Sequence, residues 1–323
     1  VAPWLFPGTE KGAVLVLKEF AVDPGVIASS FDTCRYLLSQ FGADKGRLIA
    51  KYPKTWKRLA YEAADTLPDG FQKERVVEYI NCLNNDWLTL SASNRAYTAP
   101  GDPWLANARV AHVANPFAAI LCDQDDPPNQ LIDARTCDEN TPLFSANRTQ
   151  TVNRSANDLA DVGRLLFQNC RTLRLIDPYF NPTRPKWRNP LRAMLALIPD
   201  ITAVRCEYHV QEEDGSPSTE VLKQQLHLLA GIIPVGGSLR IIRWKEHNGG
   251  ERFHRRYLLT ENAGLNYEGG LDEEVGAIHT TDISVLDRTH HAQRWAEYNL
   301  DSQIYELFEP VLVVDSNGNA TEE

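Results

Sequence analysis

The run ERFHRRYLLTENAGLNYEGGLDE, residues 251–273, gathers the side chains best suited to work on a phosphate group. A neutral imidazole at His254 can attack phosphorus, and the guanidinium of Arg256 can hold the charge on the non-bridging oxygens. RFHRRYLLT reads as a strand, in which alternation would put His254 and Arg256 on one face and Phe253, Arg255 and Tyr257 on the other. Glu261 follows five residues after Arg256, Arg252 and Asp272 flank the run, and glycines after the strand allow backbone amides to approach an anion. Two further stretches carry compatible chemistry. LIDPYFNP places Asp177 at the C-terminal end of a strand with Tyr179 beside it, a common ligand position in α/β folds and also an ordinary Asp-Pro turn. RPKWRNPLR interleaves Arg184, Lys186 and Arg188 with Trp187, a pattern that grips phosphate and stacks a base, or equally a basic loop with its tryptophan in the core. The structural alternative for the first run is a satisfied histidine, with Arg256 paired to Asp177 or Glu261.

The spacing H-x-R-x-x-x-x-E, as His254, Arg256 and Glu261, resembles an altered H-x-K-x-x-x-x-D motif of the phospholipase D superfamily. The wider frame, D-P-Y at Asp177 followed by the histidine run and G-L-D at Asp272, is more similar to the phospholipase D-like C-terminal domain of MIT-domain proteins, over roughly residues 155–310. That resemblance implies an α/β domain with a mixed sheet that binds membranes or partners instead of catalysing a reaction, and the residues themselves suit a phosphate-bearing ligand or nucleic acid held without turnover. It also implies a setting in a multi-component prokaryotic system, defence systems included. The other seven histidines have no Lys or Arg two residues later, so the chain holds one motif. Catalysis of the phospholipase D type needs one histidine as nucleophile and another as general acid. The competing expectation is therefore a metal-independent phosphodiesterase or nuclease that dimerises to bring two His254 rings to one phosphate.

These residues must be positioned by an ordinary globular chain. Its 323 residues exceed what one core usually holds, and 43% hydrophobic and 24% charged residues exclude extensive disorder. The net charge of −10 is unevenly spread: residues 161–260 hold 15 Lys/Arg against 10 Asp/Glu, and beyond residue 260 the only cations are Arg288 and Arg294. The acidic tail is expected to be solvated or to face a basic partner. Six scattered cysteines with no C-x-x-C pair disfavour a zinc knuckle or disulfide scaffold. With no leader in view they point to the cytoplasm, and Asn147, Asn153 and Asn319 are sequons of no consequence there. No apolar run reaches the length of a membrane span. GGSLRIIRWKEHNGG lacks the spacing of a nucleotide cradle, so no cofactor and no metal is expected.

Two domains are expected. Residues 1–145 read as mainly helical, from SSFDTCRYLLSQFG, TWKRLAYEAADTL, QKERVVEYINCLNND and WLANARVAHV, with one strand at FAAILC; GAVLVLKEFAV is a buried strand or helix. Lys45, Arg47, Lys51, Lys54, Lys57 and Arg58 group there as a helical face or a docking surface for an acidic partner. Residues 146–323 alternate strand and helix: strands at RTLRLID, ITAVRCEY, GSLRIIRW, RFHRRYLLT and DISVLD, helices at NPLRAMLALI, TEVLKQQLHLLAGI and HHAQRWAEYNL.

Overall fold

The computed structural model describes residues 16–83, 87–274 and 279–323 as an α/β fold built on two sheets, the larger of them mixed. The first half runs β1 (Lys18–Val22), α1 (Pro24–Ile27), α2 (Phe31–Gln40), β2 (Arg47–Ala50), α3 (Trp56–Ala64), α4 (Phe71–Cys82), β3 (Leu90–Ser91), α5 (Trp104–Ala114), β4 (Ile120–Cys122) and β5 (Leu131–Asp133). Helices hold most of its ordered residues, as the periodicity predicts. At its centre, however, lies a five-stranded sheet of order β3-β2-β1-β4-β5, every pair parallel. Only β4 falls within FAAILC, and the described part of GAVLVLKEFAV contributes β1. The other strands escaped notice because they are two to four residues long and largely buried, so no alternation shows. Phe20, Val22, Ile49, Leu121 and Ile132 pack under α1 to α4, while Ala21, Ala50 and Ile120 pack with Ala108 and Ala111 of α5 on the opposite face.

The basic group from Lys45 to Arg58 is not one surface. Arg47 is buried, donating from Nε to the Phe144 carbonyl at 2.7 Å and lying 4.4 Å from the Phe144 ring.

The second half continues with β6 (Thr149–Asn153), α6 (Ala156–Asp161), α7 (Arg164–Phe167), β7 (Thr172–Ile176), α8 (Pro185–Leu195), β8 (Arg205–Gln211), α9 (Thr219–Leu226), β9 (Ser238–Glu246), β10 (Tyr257–Thr260), β11 (Ala263–Tyr267), β12 (Thr280–Val285), α10 (Arg288–Glu297), β13 (Tyr305–Asp315) and β14 (Ala320–Glu322). Nine strands form one sheet of order β14-β13-β9-β8-β7-β10-β11-β12-β6, in which β7, β8 and β9 are parallel and every other pair antiparallel. Alternation along the central strands sends Leu173, Leu175, Tyr208, Leu239 and Ile241 to the face covered by α8 and α9. Ile176, Ile242, Trp244, Tyr257 and Leu259 go to the other, closed by Trp295, Tyr298 and Tyr305.

The strand expected at RFHRRYLLT starts only at Tyr257, residues 251–256 being irregular. The basic run at 184–192 is the first turns of α8, Pro185 at its first position, rather than a loop. The end of the acidic tail is no free arm: β14 pairs with β13, Glu322 meets Lys223 at 2.9 Å and Glu323 meets Arg240 at 2.8 Å.

The halves share core. Val16, Leu17, Leu48, Trp87 and Leu88 belong to the same apolar cluster as Leu173, Leu258 and Ile283. No helix among the described residues is long and apolar enough to cross a membrane.

Candidate ligand site

Asp177 follows the last residue of β7 and is fully buried. Its Oδ1 accepts the Tyr179 N–H at 3.1 Å, the turn expected of D-P-Y, and its Oδ2 accepts the Leu271 N–H at 2.9 Å. The G-L-D run is thus held against the strand end. Tyr257 lies across from Ile176 in the β7–β10 register, which carries Arg256 to the neighbourhood of Asp177. Burial pushes the Asp177 carboxyl up to about 6, against the pull of the two N–H donors and the Arg256 charge and with a push from Asp272.

Asp272 is also buried and is ion-paired twice, to Arg154 Nη2 at 2.5 Å and to Lys186 Nζ at 2.6 Å. Arg154 also reaches Glu274 at 2.9 Å. Between the two carboxylates sits Gly270, with φ +107°; a Cβ there would come within 2.9 Å of Asp272 Oδ1 and 3.4 Å of Asp177 Oδ2. Only glycine allows the backbone so close to both acids. Glu273 is turned the other way, accepting the Ala156 N–H at the start of α6 and the side chain of Asn189.

Below this pair the floor is aromatic. Phe180 stacks on Tyr208 at 4.0 Å and meets the edge of Trp187 at 6.2 Å. Trp187 is buried, so its ring packs the core and cannot stack a base. Tyr179 is the exposed aromatic, 54% accessible, with the Arg256 guanidinium 5.3 Å from its ring. Arg256 Nε is buried without a hydrogen-bond partner. Arg184 stands exposed at the start of α8, and Arg188 donates to the Pro182 carbonyl at 2.8 Å.

The structure therefore gathers Asp177, Tyr179, Lys186, Arg256 and Asp272, with Arg184 and Arg188 on the adjoining helix. It does not gather the rest. Glu261 sits past the far end of β10, accepting the N–H groups of Arg171 and Thr172 at 2.8 and 3.0 Å, where it closes the start of β7. His254 is exposed, and its ring hydrogen-bonds the Arg252 carbonyl at 3.1 Å. The face-sharing argued for His254 and Arg256 does not hold, because strand alternation requires strand geometry and residues 251–256 lack it. Arg252 is exposed and enters the structure through that same carbonyl, which also accepts from Tyr305 Oη at 3.4 Å.

Arg154 and Gly270 were missed as site residues. Gly270 carried a signal in the E-G-G-L-D run; Arg154, 118 positions before Asp272, carried none. A second missed feature is polar and lies on the opposite face of the sheet. Trp244 Nε1–H donates to His209 Nδ1 at 2.9 Å, His209 Nε2 meets Glu207 at 3.3 Å, and Glu207 takes Arg174 at 2.9 Å and Arg205 at 2.6 Å. An Nδ1 that accepts from indole must keep its lone pair, so His209 is neutral; burial lowers its pKa despite the carboxylate beside it. A third is the end of the first sheet. Asp23 and Asp123 follow the adjacent parallel strands β1 and β4, where the strand order reverses, and line a cavity of about 340 Å3 with Ser29 and Arg135. Burial, then Asp123, raises the Asp23 pKa against two backbone donors. Among the described residues no cluster of three or more His, Cys, Asp or Glu is placed to hold a metal.

No family model matches the chain, and no curated protein matches it. Solved structures that resemble it weakly include two of known description. TrmBL2, an archaeal chromatin protein whose structure is described as showing a novel mode of DNA binding, is 11% identical over 54% of this chain and 59% of its own, at a TM-score of 0.27. Polyphosphate kinase from Porphyromonas gingivalis is 11% identical over 55% of this chain and 32% of its own, at a TM-score of 0.30. The chain spans less than two thirds of either, and a likeness at this level carries no argument about ligand or activity.

Proposed function

We propose that residues 146–323 form a phospholipase D-like domain that binds a phosphate-bearing ligand without cleaving it, joined to a first domain of residues 1–145. One observation carries the reading: Arg256 is held beside Asp177 and against the exposed ring of Tyr179, while the exposed His254 ring is engaged by the Arg252 carbonyl. Arg184 and Arg188 on α8 extend the cationic rim, and a ring next to guanidinium groups suits a nucleic-acid backbone with an unstacked base. The D-P-Y and G-L-D runs that carry the resemblance meet through the Asp177–Leu271 hydrogen bond. The same resemblance supports a setting as one component of a prokaryotic defence assembly, with a protein partner.

A fluorescent single-stranded oligonucleotide tests this by anisotropy. Binding is expected to weaken steeply with added salt, as counterion release requires, and Tyr179→Ala or Arg184→Ala should weaken it by roughly 1–3 kcal/mol. Affinity that ignores salt, or that both variants leave untouched, would remove the proposal. The competing reading, a homodimeric phosphodiesterase using His254 from each chain, predicts hydrolysis of bis(p-nitrophenyl) phosphate with chelator present and its loss in His254→Ala. We expect no hydrolysis by either protein.

A further inference from the structure

The seam between the two sheets holds a cavity of about 380 Å3, within the range of small-molecule sites and separate from the cluster at Asp177. Trp87, at its wall, is 7% exposed, and its Nε1–H has no hydrogen-bond partner. Asp44 Oδ1, also buried and unpartnered, lies close by. A Cβ on Gly42, whose φ is +138°, would come within 2.7 Å of that oxygen, 3.3 Å of Trp87 Cδ1 and 3.5 Å of Arg288 Nη2.

The rim is cationic and aromatic. Arg288 lies 5.5 Å from the Trp87 ring and 3.5 Å from Asp44, and it lines the cavity with Arg35 and Tyr79. Arg35 has an ion pair with Asp32 at 3.8 Å, both side chains more than half exposed, an interaction too weak to hold the guanidinium from another anion. We propose that this cavity binds an organic anion bearing a planar ring: the ring packs with Trp87 and Tyr79, and the anionic group is held by Arg35 and Arg288. A nucleoside monophosphate and an aromatic carboxylate both have this chemistry.

Cys82 also lines the cavity and provides a readout. It is the one exposed thiol of the six, and burial pushes Cys34, Cys170 and Cys206 up to about 12 and Cys137 to about 11, which makes them slow to react. The experiment follows alkylation of Cys82 by N-ethylmaleimide with mass spectrometry, in titrations of AMP, benzoate or inorganic phosphate. AMP, benzoate or both are expected to slow the reaction in a saturable way, the arm that succeeds naming the source, while phosphate alone does not. Arg288→Ala removes one of the two guanidinium groups and should weaken protection roughly tenfold. Arg35→Ala, a change at an exposed side chain, should weaken it as well and carries the test if Arg288→Ala does not fold. Protection by phosphate equal to that by AMP, no protection by any of the three, or full protection in the folded variants would overturn the proposal.

Discussion

Two buried acids within one cluster are satisfied in different currencies, and that difference is measurable. Asp272 meets two cations, whereas Asp177 is held by backbone N–H groups and sits at about 6. A carboxyl whose folded pKa lies above its unfolded value of about 3.9 takes up a proton on folding, so its contribution to stability grows as pH falls through 6 and levels off below the unfolded value. Asp177→Asn lacks that proton uptake and turns an amide NH2 toward one of the two donors. The variant is expected to be less stable at pH 7, and the gap to the unaltered protein should widen between pH 7 and pH 4.5 in urea titrations. A gap that narrows on acidification would contradict the burial argument. His209 acts in the opposite direction in both proteins: buried neutral, it removes stability as pH falls through about 6.5, so only the difference between the two proteins isolates Asp177.

The elements place the site more than their own patterns do. The β7–β10 register sets Arg256 near Asp177, and the loop between β11 and β12 returns Leu271 and Asp272 to the end of β7. Gly270 is where that return is tightest. Gly270→Ala would place a left-handed residue with its Cβ 2.9 Å from Asp272 Oδ1, and a loss of about 1–3 kcal/mol is expected, read as a lowered melting temperature. Gly101→Ala, with no atom within 4 Å and no positive φ, is the matched control and should leave the melting temperature unchanged. A shorter lever is Glu261. Glu261→Ala leaves the Arg171 and Thr172 N–H groups without their carboxylate and should destabilise the start of β7 while leaving ligand affinity at the far strand end intact.

Across the whole molecule the two sheets are joined by apolar packing and by polar ties, the Leu88 N–H to the Asn262 carbonyl at 3.3 Å and Arg288 to Asp44. The proposed boundary near residue 145 is therefore a division of architecture more than of stability. A fragment of residues 146–323 would uncover side chains that Val16, Leu17, Leu48, Trp87 and Leu88 cover. It is expected to bind anilinonaphthalene sulfonate, and the full chain to unfold in a single calorimetric transition. A monomeric fragment with native-like near-UV dichroism and no dye binding would show that the halves fold independently.

Read alone, the sequence determined the middle of the second half, where strands are flanked by amphipathic helices with caps and stops that leave a local pattern, while β6, α6, α7, β11, β13 and β14 lie in no stretch it marked as strand or helix. Seven of its elements lie where RTLRLID, NPLRAMLALI, ITAVRCEY, TEVLKQQLHLLAGI, GSLRIIRW, DISVLD and HHAQRWAEYNL predict them. The acid at the strand end and the basic start of α8 were legible for the same reason. The parallel sheet of the first half was not, since short strands buried on both faces carry no period. Nor could spacing separate His254 and Glu261 from Arg256. Motif spacing assumes a continuous strand, and whether a backbone is paired there depends on partners far away in the chain: Ile176 gives Tyr257 a neighbour, and before it the Arg256 carbonyl accepts the Tyr267 N–H of β11, while residues 251–255 lie in no strand. Arg154 on Asp272 and Trp87 beside Arg288 are contacts of the same kind, made by folding across more than a hundred residues and written in no local pattern.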